Sequence, residues 1–98
     1  MACPVRNFLK NMYYNYIIQS KKDKKMYTGC TNNLQKRLER HNKGLISSTK
    51  NRRPFGVVYY EACINREDAF QREKFLKTGM GKRYIKNRIK KFLIGNEG

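Results

Sequence analysis

Two hydrophobic periods alternate along the chain. Tyr14-Asn15-Tyr16-Ile17-Ile18 is aromatic and β-branched, which predicts a strand beginning near Tyr13, and the run Ser20-Lys21-Lys22-Asp23-Lys24-Lys25 predicts a charged turn after it. Met26-Tyr27-Thr28-Gly29-Cys30 predicts the returning strand of a hairpin. Thr31-Asn32-Asn33 supplies capping side chains before Leu34, Leu38 and His41, which recur at helical spacing until Gly44 closes the segment. The stretch from Leu45 to Pro54 mixes turn residues with positive charge and predicts a loop, after which Phe55 to Glu61, rich in Val and Tyr, predicts a third strand.

Asn65, with Asp68 three residues on, resembles a helix cap. Ala69, Glu73 and Leu76 then share a face until Gly79, where that helix is expected to stop. From Lys82 onward Ile85, Ile89, Phe92 and Leu93 form an apolar stripe among Lys and Arg, which predicts a third, basic helix. The order β-β-α-β-α-α implies an α+β domain with a central three-stranded, mainly antiparallel sheet flanked by helices. Residues 1–12 lack clear periodicity and are expected to form an N-terminal extension, with the domain over 13–94 and a C-terminal tail over 95–98.

Composition narrows the partners. The chain has 98 residues, enough for one domain with a thin core that buries about 60 to 65% of the surface exposed by its unfolded form. Twenty-three Lys and Arg against seven Asp and Glu give a net charge of +16, self-repulsion that a polyanion relieves, and nucleic acid is the expected one. An anionic membrane is the competing reading, but it wants a broad amphipathic helix or a lipid anchor, and neither stands out. The three cysteines, Cys3, Cys30 and Cys63, are odd in number and widely spaced, which argues against zinc and against a disulfide framework. Pro4, Arg6, Asn7 and Lys10 interrupt any apolar N-terminal run, so the expected setting is cytoplasmic and reducing.

Three polar features stand out from this background. Tyr16 and Tyr27 lie on the two hairpin strands; a strand tyrosine is ordinarily a packing residue, but Gly29 just beyond Tyr27 marks a bulge or a close approach. Arg37 and His41 are four residues apart on one helical face beside Leu34 and Leu38, where a guanidinium fork is suited to gripping phosphate. Glu73 sits on the apolar side of its helix among Arg72, Lys74 and Lys77, either as a simple ion pair or as the single carboxylate that a Mg²⁺ ion needs.

Taken in order, Tyr14-Asn15-Tyr16, Tyr27-Thr28-Gly29, Arg37 to His41, Ser48-Thr49-Lys50, Arg53-Pro54, Val58-Tyr59-Tyr60-Glu61, Arg72-Glu73-Lys74 and Gly81-Lys82-Arg83-Tyr84 make a series. The series resembles the GIY-YIG nuclease superfamily, and within it the stand-alone, single-domain bacterial proteins related to the excinuclease nuclease domain. The resemblance implies a small α/β sandwich and a divalent-metal-dependent endonuclease that hydrolyses DNA, on duplex, branched, flapped or damaged substrates and in a role such as DNA repair. It implies that Tyr27 orients or deprotonates the attacking water with Tyr16 as partner, and that Arg37 holds the scissile phosphate. It further implies that Glu73 ligates Mg²⁺ or Mn²⁺ and that His41 assists proton transfer or positioning. Lys50, Arg52, Arg53, Lys82, Arg83 and Lys86 would grip DNA, and Asn87 would support a phosphate or the local structure. Asn15 and Thr28 depart from the aliphatic residues usual in the two tripeptides, which bears on stability more than on chemistry. A catalytically silent nucleic-acid-binding module of the same fold is the alternative, and a ribosomal-type RNA-binding protein a third.

Overall fold

The computed structural model describes residues 11–97, with side chains through Gly95. Most of the expected N-terminal extension therefore lies outside the described residues. The strands are β1 (Tyr13–Ser20), β2 (Met26–Thr31) and β3 (Phe55–Cys63), and the helices are α1 (Leu34–Asn42), α2 (Arg66–Leu76), α3 (Gly79–Arg88) and α4 (Lys90–Glu97), with a short 3₁₀ turn over Lys50–Arg52. The sheet order is β2-β1-β3 and both pairings are antiparallel, so the expected α+β fold holds.

β1 is central, and that explains its sequence. A strand covered on both faces reads as a continuous run, and Asn15, Tyr16, Ile17 and Ile18 are all buried. One face carries Tyr16, Ile18 and Phe55, packed against Tyr27 and against Leu34 and Leu38 of α1. The opposite face carries Ile17, packed with Leu76 of α2 and Ile85 of α3. A register shift between Ile17 and Ile18 in the β1–β3 pairing places the irregularity on β3, at Val58.

The hairpin turn is organised by Ser20, whose buried hydroxyl accepts from the amides of Lys22 and Asp23 and donates to the carbonyl of Arg52 at 2.5 Å. Asn33 caps α1 by accepting from the Lys36 amide at 3.0 Å, and Asn65 caps α2 by accepting from the Asp68 amide at 3.0 Å, as the sequence predicts.

Two expectations are corrected. Gly79 does not stop α2; Lys77 ends that helix, Thr78 accepts from the Gly81 amide as the next cap, and Gly79 opens α3. The glycine that packing requires is Gly81, because a Cβ there would collide with the Phe75 carbonyl and the Leu76 backbone. The basic helix expected from Lys82 onward is two helices, broken at Ile89, whose backbone leaves the helical region (φ −111°, ψ 28°).

Candidate active site

Tyr16 and Tyr27 face the α1 side of the sheet on adjacent strands, with Tyr16 opposite Gly29 and Tyr27 opposite Ile18. Gly29 marks a close approach and not a bulge: the phenol end of Tyr16 occupies the space that any side chain at 29 would need. A glycine at this point lets the tyrosine ring lie across β2 toward the site.

Behind Tyr16 stands a buried polar chain. The Tyr16 hydroxyl is 2.9 Å from His41 Nε2, and His41 Nδ1 is 2.7 Å from Thr49 Oγ1. His41 and Thr49 are both 0% exposed. The direction of the chain is assigned from its far end, where the Thr49 hydroxyl donates to the Ile46 carbonyl over a long 3.4 Å. With its proton committed there, Thr49 accepts from His41 Nδ1–H, which leaves Nε2 as an acceptor, and the Tyr16 hydroxyl donates to it. Burial and then the Arg37 charge hold His41 down to about 4, so the ring is neutral. Burial pushes the Tyr16 phenol up to about 12 against the pull of Arg37, so Tyr16 stays protonated at neutral pH.

The tyrosines and histidine form an aromatic cluster: the His41 ring lies edge-on to Tyr16 at 5.8 Å and to Tyr27 at 5.2 Å between centroids. Arg37, one turn before His41 on α1, is half-buried and near enough to act on both Tyr16 and His41. Glu73 lies on α2, and its negative charge adds to the upward push on the Tyr16 phenol and on the thiol of Cys30, the residue after Gly29. The Glu73 carboxylate is 22% exposed and pairs with Lys77 at 3.1 Å. Cys30 is a free thiol pushed up by burial and by Glu73.

Of the five residues singled out in the sequence, Tyr16, Tyr27 and His41 are in mutual ring or hydrogen-bond contact, Arg37 stands one turn before His41 on α1, and Glu73 lies on α2 within electrostatic reach of Tyr16. The basic residues divide. Lys50, Arg53, Lys82, Arg83 and Lys86 are exposed, as is Asn87 on α3. Arg52 is committed to the fold: it bonds Asp23 at 2.9 Å and lies 5.5 Å from the Phe55 ring centroid. Thr49 is the residue whose part the sequence alone did not disclose. It stood in the motif series without a role, and only the contact with His41, eight residues away, supplies one.

Known proteins resemble this chain along most of its length. Residues 12–89 match the GIY-YIG catalytic domain. The chain belongs to the GIY-YIG family. Its relatives include a UPF0213 protein of Clostridium perfringens, 43% identical over 67 residues that cover 67% of this chain and 71% of that one. Another, from Pediococcus acidilactici, is 37% identical over 84 residues, covering 80% of this chain and 85% of that one. The solution structure of a UPF0213 protein from Bacillus halodurans is 30% identical, covers 76% of this chain and 81% of that chain, and superimposes with a TM-score of 0.48. The GIY-YIG family is in general one of nucleases, and nucleic acid is its general class of partner. Among the described residues no helix is long and apolar enough to cross a membrane.

Proposed function

We propose that this GIY-YIG chain is an endonuclease that hydrolyses DNA phosphodiester bonds with a divalent metal ion. The convergence of Tyr27, Arg37 and Glu73 around the Tyr16–His41–Thr49 chain carries the reading.

The donor set fits Mg²⁺ or Mn²⁺ held by Glu73. Among the described residues no group of three or more His, Cys, Asp or Glu could cage a metal, and one half-buried carboxylate suits an ion that keeps its waters and takes phosphate oxygens. Lys77 holds Glu73 meanwhile through a solvent-exposed ammonium, a pairing weak enough to yield to a divalent ion. When bound, the ion supplies Lewis acidity at the scissile phosphate.

The remaining work falls to the chain's own residues. Tyr16, its hydroxyl donating to His41, turns its lone pairs toward Arg37 and accepts from that guanidinium, which holds Arg37 in place. Tyr27, half-buried on the edge strand beside the His41 ring, orients the attacking water. Arg37 grips the phosphate and offsets the charge that develops on its oxygens. His41 has both ring nitrogens engaged, so it acts through Tyr16 as a positioning residue and not on water. Lys50, Arg53, Lys82, Arg83 and Lys86 supply the exposed positive charge for the DNA backbone.

The test is cleavage of plasmid and branched DNA with Mg²⁺ or Mn²⁺, comparing wild type with Glu73→Ala and Arg37→Ala. Metal-dependent nicking that each substitution lowers by a factor of about 10² to 10³ supports the reading. DNA binding with no cleavage of any substrate would favour the silent binding module instead.

A further inference from the structure

One stripe of α2 carries an aromatic side chain that neither side of the core uses. Arg66, Phe70, Glu73 and, at the helix end, Lys77 recur at helical spacing, so they lie along a single side of α2. That side looks toward β2. The helix packs against the strand, and at Cys30 of β2 burial and then the Glu73 charge push the thiol up while the Arg66 charge pulls it back. Phe70 belongs to neither hydrophobic cluster and is 41% exposed. The Arg66 guanidinium lies over its ring, 5.1 Å from the centroid, which covers one side and leaves the rest open. The ring is a ridge between two open grooves. One, of about 410 Å³, is lined by Glu67, Phe70, Gln71, Glu73 and Lys74, and the other, of about 500 Å³, by Asn65, Arg66, Glu67 and Phe70.

A lone ring among charges is no docking surface for a protein face or a membrane, both of which need a broad apolar area. DNA matches it better, because its phosphates take up Arg66 and Lys74 while the faces of its bases are apolar. In an intact duplex those faces are hidden in the stack, so the ring reaches them only at a step that opens around it. Phe is among the side chains that proteins insert between base pairs in this way. The pairs on either side of an opened step need room, and the two grooves that flank Phe70 supply it. Glu67 lines both grooves, with Arg66 and Lys74 beside it to offset its charge. Phe70 also precedes Glu73 by about 4.5 Å of helix, so a step opened by the ring lies next to the phosphate that the metal site takes.

We propose that Phe70 is a wedge that enters duplex DNA at the base step beside the scissile phosphate and holds that step unstacked, with Arg66 and Lys74 on the flanking phosphates. The proposal rests on the nuclease reading above and makes Phe70 a positioning residue for it.

The experiment follows the fluorescence of 2-aminopurine at the central steps of a short, blunt-ended duplex as protein is added to saturation in EDTA, with the anisotropy of a terminal dye reporting binding. Wild type is compared with Phe70→Ala, with Phe70→Leu, which keeps an apolar wedge, and with Phe92→Ala, which removes an exposed ring from α4. Melting temperatures show that each variant is folded. On saturation the fluorescence is expected to rise by about twofold or more with wild type, Phe70→Leu and Phe92→Ala, and to stay at the level of free duplex with Phe70→Ala. Phe70→Ala should still bind, with affinity lowered by no more than about tenfold, since the phosphate contacts remain. An equal rise with Phe70→Ala, a rise abolished as fully by Phe92→Ala, or a wild type that saturates the duplex without any rise would overturn it. No cleavage is needed for this readout. Opening of the step by a chain that never cuts DNA refutes the nuclease reading alone, whereas cleavage without opening refutes the wedge alone.

Discussion

The two faces of one three-stranded sheet are built by opposite rules. On the α1 face a buried polar line, Tyr16 to His41 to Thr49 to the Ile46 carbonyl, runs beside the apolar packing of Ile18 and Phe55, each donor meeting one acceptor. On the α2/α3 face Ile17, Leu76 and Ile85 make an aliphatic core whose one buried side-chain amide is Asn15. The first arrangement fixes the direction of hydrogen bonds, which chemistry needs; the second supplies non-directional burial, which stability needs. Substitutions on the two faces should therefore separate stability from turnover.

The largest separation is expected from Ile17→Ala. Removing a fully buried branched side chain costs about 2 to 5 kcal/mol of unfolding free energy, and turnover per folded molecule should not change. Urea denaturation with a parallel cleavage assay reads both quantities; lost activity in the folded fraction would mean that the faces are not independent.

Thr49→Val is expected to affect both. It strips the acceptor from His41 Nδ1–H, costs about 1 to 3 kcal/mol for the unsatisfied buried donor, and frees the ring to the other tautomer. Turnover should fall by about 10²-fold, as for misplaced catalytic groups, while Thr49→Ser should retain most of both. Equal activity of the valine and serine variants would sever Thr49 from the site.

The pH dependence has a definite sign. His41 in the fold titrates at about 4 against 6.5 when exposed, so the unfolded chain takes up the proton first. Its contribution to stability is fully present above about 6.5 and is lost as pH falls from there toward about 4. Urea midpoints measured across that window should show the loss in wild type and a flatter profile in His41→Gln. Matching slopes would mean that His41 is not the group responsible.

The smallest effect is expected at Asn15, which is 2% exposed. Its amide donates to the Ala69 carbonyl at 3.1 Å, but its Oδ1 has no partner. Asn15→Ile removes that orphaned acceptor and should stabilise the chain by about 1 kcal/mol without changing cleavage. A lower melting temperature would show that the bond to α2 outweighs the unpaired oxygen.

What could be read in advance follows the same division. The strands and capped helices were legible because their signals are local: β-branched runs, Asn33 and Asn65 as caps, Gly44 in the left-handed region after α1. Tyr16, Tyr27, Arg37, His41 and Glu73 were legible as an ordered series. The direction of the Tyr16–His41–Thr49 chain was not, since it depends on one threonine proton. Nor was the engagement of Arg52, whose partner Asp23 lies 29 residues away. The helix break at Ile89 lies within an apolar stripe that continues through it, so periodicity gave no warning.

The central claim is that the tyrosine cluster of the α1 face, together with Glu73 of α2, carries phosphodiester hydrolysis. Its most direct test is nicking of supercoiled plasmid with Mg²⁺ by wild type, Tyr27→Phe and Ile17→Ala, each rate normalised to folded protein. Nicking by wild type and Ile17→Ala, with a loss of at least about 10²-fold in Tyr27→Phe, is the predicted result. Equal rates for wild type and Tyr27→Phe, or no nicking by any of the three, would contradict it.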